Sequence, residues 1–284
     1  MKLRRITDAM LRRWPLPSLD DELGKESRGT LLVVGGSDSV PGAASLAALG
    51  GMRVGAGTIQ IATTRGAHPI VASLVAEACV VALPTQRGEI AVSARSRIGK
   101  LAASATSVVL GPGSKTSALA RMMSRGDATW IVDAAAIQGC TAAVVRGVTA
   151  IITPHAGEMA TLLDEKPASI RAHAADIAIR TAKELSCVVV LKGATTFIAA
   201  PDGALFQSST GNHGLGTSGS GDVLAGAIAG LAARGATAIQ AAVWGVHLHG
   251  AAGDVLARTV GPFGFRAIEV IAELPRLPLL RSQR

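Results

Sequence analysis

The sequence has almost no aromatic residues. Phe, Trp and Tyr make up 2% of the 284 residues, and tyrosine is absent. Hydrophobic residues still reach 49%, so the core must be built from Ala, Val, Leu and Ile, whose small side chains let helices pack closely against a sheet. The lack of aromatics also leaves little surface on which bases could stack, so we do not expect nucleic-acid binding despite a net charge of +8.

Much of that positive charge lies at the two ends of the chain rather than along one face. The residues concerned are Lys2, Arg4, Arg5, Arg12, Arg13, Arg276, Arg281 and Arg284. This distribution indicates basic terminal tails, which account for much of the high isoelectric point.

Cysteines are few, and long apolar runs are missing. Cys79, Cys140 and Cys187 lie far apart without the spacing of metal ligands, so we predict buried thiols in a reducing compartment. No N-terminal run resembles a signal peptide, and no stretch of about 20 apolar residues is free of charges and glycines. We therefore expect a soluble cytoplasmic protein with no membrane contact.

What is present is an alternation of apolar strands and small-residue helices. The predicted strands are "TLLVVGG", "TIQIATT", "VVAL", "SVVLGPG", "TWIVDAAA", "TAIITPHAGE" and "CVVVLKGATTFIAA", and the first predicted helix begins at Pro41. Continuous Val, Ile and Leu runs are typical of strands buried on both faces of a parallel sheet. Residues 201–203, Pro-Asp-Gly, predict a β-hairpin. We expect one three-layer α/β/α domain over residues 29–284, preceded by an extension of residues 1–28 that contains a short helix.

Several predicted strands end in glycine and polar residues. In open parallel sheets the ligand lies beyond the carboxyl ends of the strands. The strings "VVGGSDS", "VLGPGS", "VDAAA", "ITPHAGE" and "LKGATT" should therefore meet at one edge and form a crevice. The first of them lacks the G-x-G-x-x-G spacing of dinucleotide-binding motifs, so we do not predict a hydride-transfer enzyme.

The segment "TGNHGLGTSGSGDVLAG", residues 210–226, places five glycines before one carboxylate, Asp222, and then continues into a helical pattern. Glycines upstream of a helix leave backbone N–H groups free for an anion, and the helix dipole adds to the attraction. We predict an anion hole at Gly219, Ser220 and Gly221, beside Asp222 as a general base for phosphoryl transfer. The alternative is that Asp222 is only an N-cap.

Together these strings, with "PGAASLAALGGMRVGAG" and "WGVHLHGAAGD", resemble the ADP/ATP-dependent NAD(P)H-hydrate dehydratases of the ribokinase-like superfamily. The likeness runs in family order from about Gly29 to Asp254. It implies that ADP or ATP, with ADP the expected donor, phosphorylates the ring hydroxyl of (6S)-NADHX or NADPHX. Elimination of phosphate then restores NADH or NADPH, which is metabolite repair.

The resemblance also implies site residues and partners. Asp222 would be the base, and the adenosine nucleotide would contact Lys192, Gly193, Ala194, Thr195, Thr196 and Gly221. The hydrated dinucleotide would contact Ala43, Gly113, His155 and Asp222. Glu158 would help to hold Mg²⁺ through water. The family further implies a homo-oligomer such as a tetramer. It also implies cooperation with a separate epimerase, because residues 1–28 are too few for the epimerase domain that precedes many relatives.

Each assignment has an alternative. Lys192 could be a solvated strand end, His155 a structural histidine, and Glu158 a helix cap. His247 and His249 are two residues apart and cannot share a helix face, so they do not form a metal pair, and we interpret Asp133 and Asp254 as structural or peripheral.

The chain also departs from the family at four positions, and two other functions remain open. The departures are Lys115, Ala156, His213 and Gly216. A kinase of a vitamin precursor, or a non-catalytic nucleotide-binding protein, could use the same fold.

Overall fold

The computed structural model describes residues 3–18, 24–115 and 117–282. Its strands are β1 Leu3–Arg5, β2 Thr30–Val34, β3 Thr58–Thr64, β4 Cys79–Leu83, β5 Thr85–Gln86, β6 Glu89–Ile90, β7 Ser107–Leu110, β8 Thr129–Val132, β9 Ala150–Ile152, β10 Val188–Leu191, β11 Thr196–Ala199 and β12 Leu205–Ser208. Its helices are α1 Asp8–Arg12, α2 Gly42–Arg53, α3 His68–Leu74, α4 Arg95–Ala102, α5 Ala142–Val145, α6 Ala156–Leu163, α7 Pro167–Ala172, α8 Ala174–Leu185, α9 Ser220–Ala233, α10 Ala238–Thr259, α11 Ala267–Glu273 and α12 Pro278–Arg281.

Ten of the described strands form one sheet in the order β1-β12-β11-β10-β9-β8-β7-β2-β3-β4. The pairs from β10 to β4 are all parallel, and β11 runs antiparallel to both of its neighbours. The strands β7, β8 and β10 are buried along their whole length, as their unbroken apolar sequences predict. The β11–β12 pair confirms the hairpin predicted around Pro201.

Helices cover both faces of the sheet, so the predicted three-layer α/β/α architecture is confirmed. One apolar core lies under α2, α9, α10 and α11, and a second lies under α4, α6, α7 and α8. Alanine, valine, leucine and isoleucine supply most of both cores. This matches the expectation from a chain with few aromatics.

The closest helix packing is between α2 and α9, because both helices carry small residues where they touch. A Cβ on Gly226 would overlap the carbonyl oxygen of Ala47, so only glycine allows this approach. The contact brings the first turn of α9 beside α2, and this turn contains Asp222.

The N-terminal segment contributes a strand that the sequence does not predict. The strand β1 extends the sheet by pairing with β12, and Leu11 of α1 is fully buried. The ring of Trp14 stacks on Phe206, and the carbonyl oxygen of Trp14 accepts a hydrogen bond from Nε1 of Trp244 at 3.0 Å. These contacts fasten the segment to the sheet edge and to α10.

The C-terminal residues pack against the core, and the three cysteines differ in their burial. Leu277 and Leu279 are buried near the C-terminus, while Lys2 and Arg284 of the predicted basic tails lie outside the described residues. Cys140 and Cys187 are buried as predicted, but the prediction is wrong for Cys79, which is exposed at the start of the edge strand β4. Among the described residues, no helix is both long enough and apolar enough to cross a bilayer.

Candidate active site

A buried ion pair lies where three neighbouring parallel strands end. Asp133 follows β8, Thr153 follows β9 and Lys192 follows β10. The Lys192 Nζ atom donates to Oδ1 of Asp133 at 3.0 Å, and the Thr153 hydroxyl donates to the same oxygen at 2.6 Å. The carboxylate of Asp133 therefore fixes the ammonium of Lys192 at the edge of the sheet.

The surroundings of Lys192 keep it charged. Its side chain is 20% exposed, and burial alone would lower the pKa of the ammonium. The carboxylates of Asp133 and Glu158 more than offset this effect and raise the pKa of Lys192 above its ordinary value. The interpretation as a solvated strand end is therefore wrong, because Lys192 is a cation held in a largely buried cluster.

The first turn of α9 presents unpaired backbone donors. Gly219 is the N-cap residue with φ +85°, a conformation that favours glycine. The N–H of Ser220 donates to the carbonyl oxygen of Thr217 at 3.3 Å, whereas the N–H groups of Gly221 and Asp222 have no partner among the described residues. Of the predicted anion hole, the Gly221 donor is thus free and the Ser220 donor is occupied.

Asp222 lies in this first turn but does not cap the helix. Gly219 is the N-cap, and no side chain makes a capping hydrogen bond there, so the alternative interpretation of Asp222 as an N-cap is wrong. A Cβ on Gly221 would lie 3.5 Å from Nζ of Lys192 and 3.9 Å from Oδ2 of Asp133, so this turn is next to the buried ion pair.

The electrostatics of Asp222 suit a general base. Burial, followed by repulsion from Asp133, raises the pKa of Asp222 to about 7, against an opposing effect of Lys192. A base with a pKa near neutrality is ionised often enough to act and still binds a proton firmly. Shifts of this origin cluster at functional sites.

His155 and Glu158 form a reciprocal capping box at the start of α6. The Nδ1 atom of His155 accepts from the N–H groups of Gly157 and Glu158, and Oε2 of Glu158 accepts from the His155 N–H at 2.8 Å. A parallel bridge also joins His155 to Lys192. Both residues therefore have the structural role named as their alternative, and the His155 side chain remains 59% exposed toward solvent.

The donor chemistry here fits Mg²⁺ only in combination with a phosphate ligand. Among the described residues no three His, Cys, Asp or Glu side chains are grouped as a metal site. Mg²⁺ commonly keeps several waters and uses one or two carboxylates together with substrate phosphates. Asp222 and Glu158 can supply these one or two carboxylates.

A second part of the crevice is built mainly from backbone and small side chains. Gly113 has φ +67°, and a Cβ there would lie 2.8 Å from Cβ of Ala43, so these two predicted substrate residues are neighbours. The hairpin of β5 and β6, residues 85–90, covers this region and was not predicted. Glu89 in the hairpin accepts from the hydroxyl of Ser114 at 2.9 Å and the N–H of Lys115 at 3.1 Å.

Helix α2 links the two parts of the crevice. Ala43 lies against Gly113, and Leu46, one turn further along α2, packs against Gly219. The loop from Lys192 to Thr196, which includes Gly193, Ala194 and Thr195, leads from β10 into β11 beside the ion pair. Of the predicted nucleotide residues, Lys192 and Gly221 thus lie next to each other, and Gly193 to Thr196 follow Lys192 along the chain.

The sequence interpretation overlooked two groups at this site. Asp133, interpreted as structural, is the direct partner of Lys192, and its position after the strand "TWIV" is the signal that could have identified it. His249 is hydrogen-bonded to Ser220, while His247 binds Asp8 from the N-terminal segment. The two histidines therefore have separate partners, and Asp254 binds the loop at Gly211 and Asn212.

Known proteins with similar sequences identify the family. A family model described as NAD(P)H-hydrate dehydratase matches residues 31–276. An ADP-dependent (S)-NAD(P)H-hydrate dehydratase from Xanthomonas campestris is 43% identical, with 98% of each chain covered. A bifunctional NAD(P)H-hydrate repair enzyme from Moorella thermoacetica is 37% identical over 96% of this chain, which spans 53% of that longer protein.

A solved structure of the same family also matches this chain. The ADP/ATP-dependent NAD(P)H-hydrate dehydratase of Bacillus subtilis, co-crystallised with ATP and Mg²⁺, superposes with a TM-score of 0.86 at 30% identity, covering 100% of both chains. The fold is the ribokinase-like fold of these solved structures. The chain therefore belongs to the NAD(P)H-hydrate dehydratase family.

Proposed function

We propose that this protein dehydrates (6S)-NADHX and NADPHX to NADH and NADPH at the expense of an adenosine nucleotide, with ADP as the expected phosphoryl donor. The observation that carries the proposal is the first turn of α9. There the N–H groups of Gly221 and Asp222, which have no partner in the part of the chain that the structure describes, lie beside a carboxylate whose pKa is raised to about 7.

In the first half of the reaction Asp222 takes the proton from the ring hydroxyl of the hydrate. The hydroxyl oxygen forms a bond to the terminal phosphorus of the nucleotide while the bond between that phosphorus and the nucleotide's bridging oxygen breaks. The N–H groups of α9 and the ammonium of Lys192 stabilise the charge on the transferred group. Asp133 holds Lys192 in place for this task.

In the second half the phosphate leaves the ring. The ring nitrogen donates its electron pair as the carbon–oxygen bond breaks, and loss of a proton from the adjacent carbon restores the double bond. Phosphorylation matters because phosphate is a far better leaving group than hydroxide.

Mg²⁺ would be held by the phosphates of the nucleotide with Glu158 or Asp222 acting directly or through water. When bound, it would neutralise phosphate charge. The hydrated dinucleotide is assigned to the side of the crevice formed by Ala43 and Gly113, with the exposed edge of His155 as a further contact.

Three wider features belong to the same proposal. The three free thiols support a reducing, cytoplasmic setting. We also propose a homo-oligomer such as a tetramer, and cooperation with a separate epimerase that supplies the (6S) form.

The test is an absorbance assay in the band of reduced nicotinamide. Purified protein is mixed with (6S)-NADHX and Mg²⁺, and then with ADP or ATP. An absorbance rise that requires a nucleotide is expected, and the two nucleotides identify the donor. No rise with either nucleotide, together with phosphorylation of pyrimidine or pyridoxal alcohols, would overturn the proposal in favour of a vitamin-precursor kinase.

A further inference from the structure

The segment that leads into α9, residues 210–220, contacts one face of α10 at its start and at its end. His249, Gly250, Gly253 and Asp254 are spaced so that they share this face. A Cβ on Gly250 would lie 2.7 Å from the carbonyl oxygen of Thr210, and one on Gly253 would lie 2.6 Å from Cγ of Leu215. Glycine at both positions lets the segment lie directly against the helix.

Polar contacts fix both ends of this segment. At its start the Asp254 carboxylate accepts from the N–H of Gly211 at 2.9 Å and from the amide of Asn212 at 3.1 Å. At its end a hydrogen bond of 3.1 Å joins Oγ of Ser220 to Nε2 of His249. Ser220 is the residue immediately before Gly221 and Asp222, whose N–H groups have no partner within the described ranges.

The His249 ring is buried and uncharged, so it can hold Ser220 by a hydrogen bond without adding a positive charge. It is only 8% exposed, and burial together with the nearby Lys192 ammonium lowers the pKa of His249 to about 4. The ring is therefore neutral at neutral pH and adds no positive charge beneath the anion hole.

We propose that His249 is a positioning residue that holds the first turn of α9, through Ser220, in the geometry that binds the nucleotide's phosphate and aims Asp222. The inference rests on the proposed function. It assigns to His249 no contact with substrate, and it predicts that the hydrogen bond, rather than the bulk of the ring, is what matters.

The test compares four single variants and one double variant by calorimetric titration with ATP and Mg²⁺, by steady-state turnover and by thermal unfolding. His249→Met removes the hydrogen bond at similar volume, and Ser220→Ala removes it from the other side. His249→Gln keeps a polar group near the position of Nε2. His247→Met is the matched control, because it deletes the hydrogen bond of another buried histidine on the same helix, one that binds Asp8 instead.

We expect His249→Met and Ser220→Ala each to raise the Kd for ATP roughly tenfold and to lower kcat by about tenfold or more, since small misplacements in an active site have effects of this size. His249→Gln should stay within about threefold of wild type. The double variant of His249→Met and Ser220→Ala should be no worse than either single variant, because both remove one interaction.

Equal nucleotide affinity in His249→Met and His247→Met would overturn the inference, and so would additive losses in the double variant. Failure of His249→Gln to restore affinity while it unfolds at the wild-type temperature would also overturn it. Wild-type protein that binds ATP with the expected ranking of variants but dehydrates no hydrate would overturn the proposed function and support the positioning role.

Discussion

The two sides of the crevice differ in composition, because charged side chains form one side and small residues with main chain form the other. The charged rim, defined by Asp133, Lys192 and Asp222, consists of side chains held by buried hydrogen bonds and by one another's charge. The backbone rim, defined by Ala43, Gly113 and the hairpin of residues 85–90, consists of small residues and main chain fastened by Glu89. Under the proposed function, charged side chains carry out the phosphoryl transfer on the first rim, and the shape of the second rim admits the dinucleotide.

The largest effect should come from removing the base on the charged rim. Asp222→Asn keeps the size of the side chain and the N–H groups of α9, so the nucleotide should still bind. Turnover should fall by a factor on the order of 10² or more, as expected when a general base is lost. Steady-state kinetics and calorimetry measure the two quantities. Turnover within a few-fold of wild type would remove Asp222 from the mechanism.

The raised pKa of Asp222 predicts how kcat/KM changes with pH. Only the ionised form accepts a proton, so kcat/KM should fall about tenfold for each pH unit below about 7 and level off above it.

The raised pKa of Asp222 also makes the free energy of unfolding depend on pH. The folded state binds this proton more tightly than the unfolded chain, whose carboxyl has a pKa near 3.8, so stability from this group is present below pH 3.8 and lost as the pH rises toward 7. Asp222→Asn should therefore stabilise the free protein at pH 8, by on the order of 2 kcal/mol, and much less at pH 4. Equal gains in melting temperature at both pH values would contradict the assignment.

Lys192→Met tests the cation of the charged rim. Loss of the ammonium should raise the Kd for nucleotide roughly tenfold, because a charge-assisted contact to phosphate disappears. It should also lower stability, since Asp133 is left buried without its ion-pair partner. The exposed Lys183→Met on α8 is the matched control.

A second variant separates these two effects. Lys192→Met combined with Asp133→Asn should recover stability but not affinity, because the buried carboxylate is gone while the phosphate partner is still missing. Recovery of nucleotide affinity in this double variant would mean that Lys192 acts only on the fold.

The smallest effect should come from the backbone rim. Glu89→Ala releases the hairpin from Ser114 and Lys115, so the KM for the hydrated dinucleotide should rise about threefold with kcat nearly unchanged. Glu184→Ala, an exposed carboxylate on α8, serves as the control. A fall in kcat with no change in KM would show that the hairpin supports the charged rim instead.

The elements that could be predicted from sequence are those determined by residues that are close together in the chain. Buried strands such as β7 and β8 follow from unbroken apolar runs, and the turn before Asp222 follows from its glycines. The strand β1 was missed because three residues ending in two arginines carry no strand signal of their own. It forms only because the edge of β12 is available for pairing.

The missed site residues depend on contacts between distant parts of the chain. Lys192 and Asp133 are 59 residues apart, and His249 and Ser220 are 29 residues apart. Neither pair can be recognised from spacing, since only the order of strands in the sheet and the packing of α10 bring the partners together. His155 and Glu158 show the converse, because a local capping pattern could be anticipated and is present.

The most direct test of the central claim is the stoichiometry of a complete reaction by wild type and by Asp222→Asn. Purified protein receives (6S)-NADHX, Mg²⁺ and the preferred nucleotide, and reduced dinucleotide and free phosphate are quantified together. The account predicts one reduced dinucleotide and one phosphate for each nucleotide consumed by wild type, and formation of both products slowed by a factor on the order of 10² or more in Asp222→Asn, although that variant binds nucleotide. Consumption of nucleotide with a stable phosphorylated product and no reduced dinucleotide would contradict it.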